Sequence, residues 1–187
     1  MIKFDANVDL KIGNFENCGS RIRSICRPTD RAQQTICIRN KNLELNAAPD
    51  MRLVVVACMD ARMNIAEILG LETGDAHILR NAGGVVTDDV LRSICLSQRL
   101  LGTREIILLH HTDCGMQKVN ETNFVNELRA EFGVEPNWAI EAFEDPYLDT
   151  QKSMQIVAEN PFVDASNMCG FVYDVDSGLL HQVEEVI

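Results

Sequence analysis

The feature that most constrains this chain is the run Arg52-Leu-Val-Val-Val-Ala-Cys58, which stays apolar without alternating. A strand wetted on one side alternates polar and apolar residues. A continuous β-branched run instead suits a strand covered on both faces, as in a parallel sheet between helices. The segments that follow keep to that plan. Ile65, Ala66, Ile68 and Leu69 fit a short helix ending near Gly70, and Ala76-His-Ile-Leu79 a second strand. Thr87 suits an N-cap, with Asp88 and Asp89 at the positive end of the helix dipole. That helix carries Val90, Leu91, Ile94, Cys95 and Leu101, and Gly102 stops it. Arg104-Glu-Ile-Ile-Leu-Leu-His110 is a third strand. Phe124, Leu128 and Phe132 mark a further helix, as do Leu148, Met154, Val157 and Ala158. The stretch Phe171–Val183 reads as a hairpin turning at Asp176-Ser177-Gly178. Strands alternating with helices predict an α/β fold: a parallel central sheet flanked by helices, with a C-terminal hairpin or edge strand.

Residues 1–50 have no sustained period and read as an irregular N-terminal arm before a domain spanning 51–187. The 187 residues suit one domain of about 150 residues plus a tail. Within the arm, Cys18, Cys26 and Cys37 lack the paired spacing of a zinc finger. With 17 basic against 28 acidic side chains the net charge is −11, which argues against nucleic acid and an anionic membrane surface as partners. The apolar runs are far shorter than the roughly 18 residues needed to span a bilayer. Met1 to Leu10 lacks the apolar core of a secretory leader. Seven cysteines, an odd number without an export leader, predict reduced thiols in the cytoplasm, with Cys95 and Cys169 as small buried hydrophobes.

Ligands of open α/β sheets bind beyond the carboxyl ends of strands. Cys58 ends the first strand here, and His111-Thr-Asp-Cys114 ends the third. A His-x-x-Cys step brings an imidazole and a thiolate to one ion, and Cys58 from a neighbouring strand completes a Cys₂His set. Three such ligands leave a fourth position open, the mark of a catalytic zinc site. His110 should point to the opposite sheet face. Chance cysteines and histidines in buried strands remain the alternative. Asp60 and Arg62, just past Cys58, can form an ion pair beside the metal; alternatively Asp60 caps a helix over 63–69 and Arg62 is a surface residue. No phosphate-binding loop is present, and Gly83-Gly84 suits a close approach of backbone to the metal pocket. His77 and His181 read as partly buried and exposed histidines without a special role.

Cys58-x-Asp60-x-Arg62, followed about 50 residues later by His111-x-x-Cys114-Gly115, resembles the β-class carbonic anhydrases. Arg80-Asn-Ala-Gly-Gly84, Thr87-Asp-Asp89, Leu101-Gly-Thr-Arg-Glu105 and Gly170-Phe-Val-Tyr-Asp-Val175 are also similar to the small bacterial and fungal members. The resemblance implies one Zn²⁺ per chain on Cys58, His111 and Cys114, with Asp60 joining them only in a closed resting form. It implies Asp60 and Arg62 as a catalytic pair, with Asn81, Ala82 and Gly83 lining the substrate pocket. The implied activity is reversible hydration of CO₂ to bicarbonate by hydroxide on zinc, in a homodimer or dimer of dimers. Carbonyl sulfide hydrolases resemble the same branch and are the first alternative. A catalytically silent zinc-binding protein is the second, and has no use for the Asp60–Arg62 pair. Family members usually open with a helical arm around the partner subunit, which residues 11–50 do not match well.

Overall fold

A computed structural model describes residues 45–184. The arm expected over 1–50 falls mostly outside the described residues. Its last part runs along a turn, with Asp50 N–H donating to Gly74 O (2.9 Å) and Met51 N–H to Asp75 O (3.1 Å).

Five strands form one sheet: β1 (Leu53–Cys58), β2 (Ala76–Asn81), β3 (Glu105–His111), β4 (Met168–Tyr173) and β5 (Leu180–Val183). Their order is β2-β1-β3-β4-β5. The first four are parallel, and β5 closes the edge antiparallel to β4, as the hairpin reading predicts. β1 is buried along its whole length, the consequence of its unbroken apolar run.

Among the described residues four α-helices accompany the sheet: α1 (Ile65–Leu69), α2 (Asp88–Leu101), α3 (Glu121–Phe132) and α4 (Pro146–Glu159). Thr87 caps α2 through Val90 N–H, and Gly70 and Gly102 end α1 and α2 in the left-handed conformation. One sheet face, with Leu53, Val55, Ala57, Ile107, Leu109 and Phe171, packs against Met63, Ile65 and Leu69 of the α1 region. The other, with Val54, Val56, Ile106 and Leu108, receives Val90 and Ile94 of α2 and Met154 and Val157 of α4. Helix α3 has no fully buried side chain, and of its apolar residues Val125 and Leu128 are half-buried while Phe124 and Phe132 are exposed.

His110 does turn away from His111. It is buried on the α4 side, where its Nε2 lies 2.8 Å from Asp149 Oδ2. Three cysteine and histidine readings need correction. Cys95 is half-buried rather than buried. Cys169 is buried as expected but is disulfide-bonded rather than a free thiol. His181 is half-buried, because its strand pairs with β4 and its ring lies edge-on to Tyr147.

Gly170 lets α4 lie close on β4. A Cβ there would sit 2.6 Å from both Met154 Sδ and Thr150 Cγ2. Overpacking of this kind costs about 1–3 kcal/mol. We therefore expect Gly170→Ala to lower the melting temperature by several degrees in a thermal unfolding scan. Adding Met154→Ala should return part of the loss, and a Tm equal to wild type would mean that α4 is not seated here.

Candidate metal centre

Parallel pairing places Ala57 opposite Leu109, so the carboxyl ends of β1 and β3 lie side by side. Cys58, His111 and Cys114 gather at that edge, all buried, with one donor atom from each inside a 4.8 Å group. Cys58 Sγ and Cys114 Sγ are 3.8 Å apart. Bonds of about 2.3 Å in a tetrahedral zinc site put two sulfurs about 3.8 Å apart, so the pair already has the right separation.

The imidazole is prepared as well. His111 Nδ1 lies 2.8 Å from the Thr112 carbonyl oxygen. A carbonyl can only accept, so Nδ1 carries the proton and Nε2 keeps its lone pair. That Nε2 is buried and has no hydrogen-bond partner. A buried orphan acceptor beside two thiols fits a cation.

The electrostatics point the same way. The Cys114 thiol donates to Cys58, which outweighs burial and, with His111, holds the Cys58 thiol well below its ordinary range. Cys114 is pushed up by the Cys58 thiolate and by burial. For His111 burial opposes the charge, but the Cys58 thiolate more than offsets it and raises the pKa. The cluster thus holds on to protons that a dication would displace.

Asp60 and Arg62 stand at the rim. Arg62 Nε donates to Asp60 Oδ1 (3.0 Å) and Nη2 to Oδ2 (2.8 Å), a two-pronged pair, while the Arg62 backbone N–H adds a bond to Oδ1 (2.9 Å). These bonds hold the Asp60 carboxyl well below the usual carboxylate range. Asp60 Oδ2 is 3.8 Å from His111 Nε2, so the carboxylate stands at the edge of the cluster. Asp60 does not cap α1, whose N-cap is Asn64.

Asn81 ends β2, and Ala82 and Gly83 lie in the turn after it. The Asn81 carbonyl accepts from Met59 N–H (2.7 Å) and Gly84 N–H (3.3 Å), and its side-chain amide donates to Val85 O (2.8 Å). Ala82 is half-buried and makes no polar contact among those described. Gly83 is crowded by Phe143, Val85 and Met116. Gly84, at φ +77°, lies so close that a Cβ would come within 2.7 Å of Cys58 N. Gly84, though not Gly83, therefore presses its backbone against Cys58 of the cluster.

Some supporting residues escaped the sequence reading. Arg80 donates to the carbonyls of Cys58 (2.9 Å) and Asp60 (2.7 Å), fixing the loop between them. Gln117 accepts from Cys114 N–H (2.8 Å). Asp113 sits in an unspecified position of His-x-x-Cys yet binds Arg62 through its carboxylate and its carbonyl, both at 2.9 Å. Arginine and carboxylate side chains flanking the ligand motifs were the available clue.

Comparison with known proteins agrees with this geometry. A family model described as Carbonic anhydrase matches residues 53–156. Beta-carbonic anhydrase 1 of Mycobacterium tuberculosis is 48% identical over 136 residues, 72% of this chain and 83% of the relative. A carbonic anhydrase structure from Streptococcus mutans superposes with a TM-score of 0.69 at 40% identity, covering 73% of this chain and 84% of that one. A carbon disulfide hydrolase of Acidianus is 33% identical over 166 residues, 73% of this chain and 79% of the relative. The chain belongs to the carbonic anhydrase family, in its β class, whose enzymes use zinc.

Metal content tests the cluster. Wild type should hold about one zinc per chain, and Cys114→Ser should lose most of it, since a neutral hydroxyl replaces a thiolate. Because Cys114 resists losing its proton, zinc uptake at neutral pH should release at least one proton and weaken as pH falls. Calorimetry in buffers of different ionisation enthalpy measures that release.

Proposed function

We propose that this chain catalyses reversible hydration of CO₂ to bicarbonate, with one zinc per chain held by Cys58, His111 and Cys114. The observation that carries the reading is the buried two-sulfur, one-imidazole cluster with an arginine-clamped carboxylate at its rim. Zinc held there supplies a Lewis acid that makes water a nucleophile near neutral pH.

The protein's own residues do the rest. Cys58 and Cys114 bring two thiolate charges that offset the dication, and His111 presents Nε2 because Thr112 fixes its tautomer. Asp60, held ionised by Arg62, accepts a hydrogen bond from the attacking group and turns its lone pair toward the substrate. Arg62 also keeps Asp60 from falling onto the open metal position. In this reading the backbone of Asn81, Ala82 and Gly83 lines the substrate pocket, and Val85, Met116 and Phe143 pack close to Gly83.

A second reading has the same site hydrolyse carbonyl sulfide, the alternative raised by the sequence, or carbon disulfide, the substrate named for the Acidianus relative. One zinc-assayed preparation decides between them, by stopped-flow CO₂ hydration beside sulfide release from each sulfur compound. Sulfide release without CO₂ turnover would establish the second reading.

We expect Asp60→Asn to keep its zinc and lose roughly 10²–10³ in kcat, the usual cost of one orienting hydrogen bond in a site of this kind. Arg62→Ala should also keep zinc, with Asp60 now on the metal and most turnover gone. A structure of Arg62→Ala with Asp60 turned away from zinc, combined with near-normal CO₂ hydration, would end this mechanism.

We further assign the chain to the cytoplasm as a homodimer or dimer of dimers, with residues 1–50 as its arm and 51–187 as its catalytic domain. A reducing compartment would keep the Cys58 and Cys114 sulfurs, free and 3.8 Å apart, available to metal, and the disulfide at Cys169 is the observation that runs against this assignment. No helix among the described residues is long and apolar enough to cross a membrane. Edge strand β2 and helix α2 leave Ile78 and Leu96 exposed along one groove, surface that a second copy would cover. Light scattering at micromolar concentration should give at least twice the 20.9 kDa chain mass. A fully active monomer would reject the assembly.

A further inference from the structure

Arg62 faces two carboxylates, and the reading above uses only one of them. We propose that Asp113 is a positioning residue for the Asp60–Arg62 pair, tying the rim of the site to the turn that carries two of the three metal-ligand side chains. The proposal rests on the carbonic anhydrase reading and adds a residue to it.

The geometry is specific. On one edge of the Arg62 guanidinium, Nε and Nη2 hold Asp60. On the other, Nη1 donates to Asp113 Oδ2 and Nη2 to the Asp113 carbonyl, each at 2.9 Å. Asp113 adopts a left-handed backbone, φ 52°, a conformation that Asp tolerates better than most residues. In that conformation both its carbonyl and its carboxylate meet the same guanidinium. Its second carboxylate oxygen is taken by Lys118 Nζ at 2.6 Å, which gives Asp113 an anchor independent of Arg62.

The turn that presents Asp113 is held from behind. Thr112 N–H donates to Tyr173 O (2.9 Å), and Val175 N–H donates to Thr112 Oγ1 (3.1 Å), so the β4–β5 hairpin braces it. On the β1 side, by contrast, Arg62 lies in a surface loop with its side chain 46% exposed. A long exposed side chain in such a loop has many rotamers, and a rigid anchor is needed to keep one of them. Asp113 supplies that anchor. Without it Arg62 retains Asp60 but is no longer fixed in space, and the two can move together relative to His111.

A structural role alone would affect stability and zinc content. A positioning role changes where Asp60 lies. The test compares wild type, Asp113→Ala, Asp113→Asn and the double variant Asp113→Ala/Asp60→Asn, with Lys118→Ala as an independent perturbation of the anchor. The readouts are zinc content, melting temperature, kcat and KM for CO₂, and the visible spectrum of the cobalt(II)-substituted protein. Hydrogen exchange at Arg62 Nε–H is followed in the metal-free protein.

We expect Asp113→Ala to keep about one zinc and a near wild-type melting temperature, while kcat falls about tenfold with KM little changed, in keeping with the loss of a charge-assisted bond. Exchange at Arg62 Nε–H should quicken by about the same factor. The cobalt spectrum should shift as the Asp60–Arg62 pair moves relative to the metal, and that shift should be smaller in the double variant, where the carboxylate charge is gone. Asp113→Asn, which keeps an acceptor oxygen without the charge, and Lys118→Ala should each move the same readouts by a smaller amount. Should Asp113→Ala fail to hold zinc, those two variants decide.

Wild-type kcat, cobalt spectrum and Arg62 exchange in the zinc-loaded Asp113 variants would overturn the proposal. So would a loss confined to stability or zinc content across Asp113→Asn and Lys118→Ala. Failure of the underlying reading looks different, because the wild-type protein with full zinc would then itself show no CO₂ hydration.

Discussion

Parallel hydrogen bonding between β1 and β3 is the constraint from which the site follows. Both strands end at the same edge of the sheet, with Ala57 beside Leu109, so the segments leaving them must share space. Cys58 enters that space from one strand, and His111 and Cys114 from the other. An antiparallel arrangement would send the two segments to opposite ends. Complete burial of β1, with aliphatic layers on both faces, keeps the strands from sliding, and Gly84 closes the third side by laying its backbone against Cys58. The rigidity of the sheet is thereby passed to a few side chains at its rim.

The cluster is also a point of electrostatic tension. Two sulfur atoms and an imidazole nitrogen are brought together where water is largely excluded, and one nitrogen has nothing to bond. Groups so placed ordinarily weaken a fold. Around them the protein spends its polar contacts on orientation, through the Thr112 carbonyl on His111, Gln117 on the Cys114 amide, and Arg80 on the loop carbonyls. A cation resolves the conflict at the centre, and the surrounding bonds ensure that the donors already point inward when it arrives.

Much of this was legible in the sequence because it depends on local rules. The unbroken run 53–58, the Thr87 cap and the glycines at 70 and 102 each specify an element through its own residues. The cluster of Cys58, His111 and Cys114 was legible because sulfur and imidazole at strand ends have few other uses. Asp113 and Arg80 were not, since their roles depend on partners in other segments: Arg80 reaches back 20 and 22 residues, and Asp113 meets Arg62 across 51. The disulfide at Cys169 was equally hidden, because sequence spacing does not reveal which thiols meet. Helix α3 illustrates the opposite failure, since its apolar period is plain in the sequence but does not say whether anything covers it.

The composition of β3 has one more consequence. Its residues after Glu105 come as doublets: Ile106-Ile107, Leu108-Leu109, His110-His111. A one-residue slip of a strand exchanges its two faces and is normally rejected because apolar residues are driven outward. Here the slipped strand would again show an isoleucine, a leucine and a histidine to each side, so side-chain type within the strand barely distinguishes the two alignments. The choice must be made at the ends, by the Arg52 carbonyl that accepts from Arg104 and Glu105, by Asp149 waiting for His110, and by Cys114, which has one place to go. The alignment that builds the reactive edge is therefore selected by polar partners at the margins of the strand rather than by its greasy interior.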